Sequence, residues 1–142
     1  MKRFLLAAAA ALLLSPLAFA QPSTPDFVAT GEHLARRFVA FAVRAEVADN
    51  DPRVVQASDW LARAAKATGE EDRAIAAACA RAARFLQDLT RVRATALEPL
   101  EALATAAKPG QAMSDVLLAY VEARKQTAGK SHAEAMAALA TR

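Results

Sequence analysis

Apolar residues recur along this chain at helical spacing, and the interruptions between them are short. Phe27, Leu34, Phe38, Phe41 and Ala45 form one stripe, widened by Val39, Val43 and Val47, and predict a first helix over residues 25–48. Thr24 caps it and Pro25 occupies its first position, where a missing amide N–H has no helical partner to lose. "DNDP" at 49–52 breaks the pattern. Asp51 before Pro52 then restarts a second helix, which turns Val54, Ala57, Ser58, Leu61, Ala64 and Ala65 inward and ends at Gly69.

"TGEE" at 68–71 has the spacing of a capping box, with Thr68 covering the Glu71 amide and Glu71 reaching back. It opens a third helix whose expected buried face is Ile75, Ala78, Cys79, Ala82, Phe85, Leu86, Leu89 and Ala96. Pro99 cannot continue the ladder, so this helix is expected to kink or stop near Leu97 and resume through Leu103. After the "KPG" turn at 108–110, Met113, Val116, Leu117, Tyr120, Val121 and Arg124 follow the rule of a fourth helix, ended by Gly129. Ser131 and Glu134 form a second capping box for a short last helix. The pattern predicts an all-α fold: an antiparallel bundle of four main helices plus a short C-terminal helix, in one domain over residues 26–142.

One segment does not belong to that bundle. Lys2 and Arg3, the apolar run of 11 residues from Phe4 to Leu14, and Ala18-Phe19-Ala20 make a secretory signal peptide over residues 1–20, with cleavage expected between Ala20 and Gln21. Ser15 and Pro16 interrupt the run well short of the roughly 20 apolar residues a spanning helix needs, so no transmembrane segment is expected in the mature chain. "QPSTP" at 21–25 is a flexible lead-in. The location that follows is export, to the periplasm or the exterior.

Composition changes the picture in two ways. Alanine supplies 33 of the 122 residues after the leader, and Gly and Pro cluster at a few positions, which is the composition of helices with short connections. Lys2 and Arg3 are two of the 18 basic residues, so their removal lowers the net charge from +3 to about +1 against 15 acidic residues, and a nucleic-acid partner loses its electrostatic motive. Cys79 is the sole cysteine, which excludes an intramolecular disulfide, and its place on the third helix's apolar stripe predicts a buried, inert thiol. No phosphate loop, nucleophile elbow, zinc or haem motif occurs, and no cofactor is expected.

Three sets of residues carry candidate chemistry. Arg93 falls near the centre of the third helix's apolar face, between Leu89 and Leu97, where a guanidinium needs a partner; with Arg44 or Arg37 it defines a candidate anion-binding site. His132 and Met136, spaced i, i+4, are candidate copper(I) ligands with Met113 or His33. The group His33, Arg36, Arg37 and Arg44 reads as a solvated face, as do the acids Asp88, Glu98 and Glu101. A well-capped bundle with few catalytic residues points to a non-catalytic binding or accessory protein of the envelope, with an envelope protein partner or self-association through Trp60 and the valine flank of the first helix. The competing expectations are an anion-binding or lyase/mutase-type enzyme and a copper-handling protein.

Overall fold

The computed structural model describes residues 33–91, 93–126 and 131–141. The expected leader, its cleavage site at Ala20 and Gln21, the lead-in and the start of the first helix lie outside the described residues. The described chain is all-helical, with no strand: α1 (Leu34–Val43), α2 (Pro52–Thr68), α3 (Asp72–Thr90), α4 (Leu97–Ala106), α5 (Met113–Gln126) and α6 (His132–Ala140). No described helix is long and apolar enough to cross a membrane.

Helix ends follow local chemistry. Asp51 accepts the Arg53 amide at 2.9 Å and its guanidinium at 2.7 Å, with Pro52 at the first position of α2. The hydrogen bonds from the Arg53 side chain and amide hold the Asp51 carboxyl down at about 2. Gly69 ends α2 in the left-handed region, at φ 75°, as expected. At α6 the Ser131 amide donates to Glu134 Oε2 at 3.0 Å, completing the expected capping box.

Four sequence expectations are corrected. First, the described residues form six helices, because the expected third helix is two. Arg91 takes φ 58°, its amide closes on the Gln87 carbonyl, and the chain leaves the helix there. Pro99 then falls in the first turn of α4, where no helical acceptor awaits its nitrogen, and is buried rather than a kink. Second, α1 stops at Val43, since the Arg44 and Ala45 amides both return to the Ala40 carbonyl with Arg44 at φ 56°. Third, Thr68 does not cap α3: it still belongs to α2, where its hydroxyl donates to the Ala64 carbonyl at 2.8 Å. Fourth, Phe41, Phe85 and Leu89 are about half exposed rather than buried, because the inward faces centre on Phe38 and Val39 in α1 and on Ile75, Cys79 and Leu86 in α3.

The core has two parts. The larger joins α1, α2, the N-terminal half of α3, α4 and the start of α5 around Phe38, Leu61, Ile75, Leu100 and Leu103. Trp60, Val43 and Val47 are partly buried and pack against it. Residues 75–80 of α3 are buried all the way round, which the sequence "IAAACA" permits because alanine lets α2, α4 and α5 approach one helix from several sides. Cys79 lies there with no exposure, and burial pushes its thiol up to about 12, so it stays protonated at neutral pH. The smaller part joins α3, α4, α5 and α6 around Leu86, Ala102, Tyr120, Val121, Ala123 and Ala135.

Candidate functional site

One sealed place and one open place in this fold gather chemistry beyond the pocket at the start of α1, where His33 and Arg36 already pair with Asp49. The sealed one lies in the smaller core, where Tyr120 and Arg124 stand one turn apart on the inward face of α5. Arg124 is 5% exposed and donates to Glu98 of α4 at 2.9 Å and to the Tyr120 hydroxyl at 3.0 Å. That hydroxyl lies 2.8 Å from Nδ1 of His132 on α6, whose Nε2 lies 3.2 Å from Glu101 of α4.

Donor and acceptor counting orders these contacts. Arg124 only donates, so the Tyr120 oxygen accepts from it and turns its own proton to His132 Nδ1; Nε2–H then donates to Glu101. No buried side-chain polar atom among the described residues lacks a partner. Burial pushes the Tyr120 phenol up to about 12, against the pull of the neighbouring Arg124 charge. Such a tyrosine, with no exposure, keeps its proton near neutral pH. The network holds three helices together.

The open place is a groove of about 510 Å³ between α1, α3 and the connection into α4. The end of α1 contributes Phe41, Ala42 and Arg44, and α3 contributes Ala80, Ala83, Arg84, Gln87 and Asp88. Ala94, Thr95 and Ala96 close one side. The groove exists because its floor is methyl groups: Ala80 and Ala83 are buried and too short to fill the space beneath Phe41. Its rim is charged. Arg44 and Arg84 are exposed, one on each helix, and neither guanidinium makes an ion pair or hydrogen bond with another described residue.

The residues singled out from sequence scatter. Arg44 lines the groove, but its cationic companion there is Arg84, and neither Arg93 nor Arg37 takes part. Arg93 is exposed in the α3–α4 connection, so the expectation that it sits on an apolar helix face is corrected: the helix ends before reaching it. Arg37 is partly buried on α1. The buried arginine among the described residues is Arg124, and Glu98 and Glu101, read as surface acids, belong to its network. The signal for it was present, as an arginine on an apolar stripe one turn after a tyrosine, with two acids at i, i+3 on another helix.

His132 and Met136 share α6, where both ring nitrogens of the histidine are engaged and the thioether packs against the smaller core. Met113 packs in the larger core, and His33 stands exposed at the start of α1, 3.6 Å from Asp49. Among the described residues no three His, Cys, Asp or Glu side chains are grouped to hold a metal ion. No protein-family model, curated protein or solved structure matches the chain, and what the groove and the network do follows from their own chemistry.

Proposed function

We propose that this chain is exported to the periplasm or the exterior, loses its leader after Ala20, and works as a non-catalytic binding protein of the cell envelope. Its binding surface is the groove between α1 and α3. One observation carries the reading: two exposed arginines whose guanidinium groups have no partner among the described residues line a groove with Ala80 and Ala83, beside a half-exposed phenylalanine. Concave sites with an apolar lining and a few polar groups are where ligands bind. Tyr120 and its hydrogen-bonding neighbours support it from the other side, because they are committed to joining helices.

The test uses the mature protein, labelled with ¹⁵N, and a protein-free extract of the envelope. Amide signals of residues 41–44, 80–88 and 94–96 are expected to shift, while those of α2 stay in place. Shifts confined to other surfaces, or none, would overturn the groove as the binding surface. Cell fractionation with N-terminal sequencing tests export: a chain beginning at Gln21 outside the cytoplasm supports it, and an intact Met1 in the cytoplasm refutes it.

A further inference from the structure

The groove's own chemistry narrows what it takes. We infer that its ligand is a small monocarboxylate with an apolar body, of the aryl- or branched-alkanoic class. The inference rests on the groove being the chain's binding surface.

Four features select this chemistry. The floor of Ala42, Ala80 and Ala83 offers no hydrogen bond, so a fully hydrated inorganic anion would leave water bonds unreplaced there, whereas a hydrocarbon body gains by displacing that water. Phe41, 46% exposed at the groove, supplies a ring against which a flat or branched body packs. Arg44 and Arg84 supply planar guanidinium forks, the geometry that matches a carboxylate. Asp88, one turn beyond Arg84 in the same lining, leaves the two arginines with a single net positive charge, which suits one negative charge and opposes a second.

The backbone at Arg44 supplies a control. Arg44 ends α1 at φ 56°, a conformation in which an L side chain is strained and glycine is the ordinary choice, as Gly69 shows after α2. Arg91 ends α3 in the same way, at φ 58°, but does not line the groove. The pair gives a built-in control. Replacing either arginine by glycine relieves the same strain, and only one of them removes a ligand contact.

The experiment is calorimetry and thermal melting of the mature protein with 3-phenylpropionate, against 3-phenylpropanol, phenylsuccinate and inorganic phosphate. The expected result is binding of 3-phenylpropionate and none of the alcohol or phosphate. Arg44→Gln and Arg84→Gln, both at exposed positions, each weaken it about tenfold through loss of a charge-assisted hydrogen bond. Arg44→Gly melts higher than the parent yet binds about tenfold more weakly, while Arg91→Gly melts higher and binds like the parent. Asp88→Asn improves phenylsuccinate binding several-fold. Equal binding of acid and alcohol, or undiminished binding by the Arg44→Gln, Arg84→Gln double variant, would overturn the inference. If no carboxylate binds while the envelope extract still shifts the groove amides, the ligand class is wrong and the binding surface stands; if neither shifts them, both fall.

Discussion

The two parts of the core are built on different physics. Around Phe38, Leu61, Ile75, Leu100 and Leu103 the helices meet through hydrocarbon, and bulky side chains set their separation. Around Ala102, Ala123 and Ala135 methyl contacts let α4, α5 and α6 approach beside the bulkier Leu86, Tyr120 and Val121, and those methyls give little shape to resist sliding. There the Glu98–Arg124–Tyr120–His132–Glu101 network supplies the direction that small side chains lack. Alanine-dense interfaces and buried polar networks are complementary in this chain: one permits closeness, and the other fixes register.

The contrast is sharpest if each part is broken by its own kind of damage. Phe38→Ala removes a fully buried ring from the larger core and is expected to cost about 4 kcal/mol in denaturant unfolding. In the smaller part, Glu98→Ala leaves the Arg124 charge buried without its partner and should cost about 3 kcal/mol. Arg124→Met should cost only about 1 kcal/mol, because the carboxylate left behind is 24% exposed and regains water. Equal losses in the last two variants would mean that the pair acts by packing alone. Tyr120→Phe keeps the ring and deletes the hydroxyl, stranding an Arg124 N–H and His132 Nδ1, for about 2 kcal/mol; the His132 ring signals in the NMR spectrum should move with it.

The smallest effect belongs to neither part and serves as a baseline. The folded Asp51 carboxyl lies near about 2, below its ordinary 3.8, so its cap stabilises fully above that ordinary value and the contribution is lost as pH falls toward about 2. An Asp51→Asn variant, which still caps, should show a shallower fall in stability over that window in acid titration. A slope identical to the parent's would show that the Asp51–Arg53 contacts do not survive in solution.

Much of the fold was legible from residues that act locally. Asp51-Pro52, Gly69 and Ser131-x-x-Glu134 marked helix ends that the structure keeps, and the stripe from Val116 to Arg124 has the inward face expected of it. Legibility failed where a side chain's fate depended on another helix. Phe85 and Leu89 satisfy the helical period of α3 as well as Leu86 does, yet lie about half exposed because the core meets a neighbouring strip of that helix. The groove was half legible. Arg44 was among the residues singled out, while Arg84 reads along its own helix as one more exposed charge until α1 is packed beside it.

The sequence by itself determined that this chain makes helices, where several of them begin and end, and that a single buried thiol must do without a disulfide. Capping and periodicity are decided within a turn or two of chain, so one dimension is enough to read them. Tertiary structure alone decided that the chain turns at Arg91, that Arg124 is the arginine to be buried, and that Arg44 and Arg84 come to share a groove. Those outcomes depend on which methyl-covered faces meet, and an alanine-rich helix offers several nearly equivalent faces until its neighbours choose one.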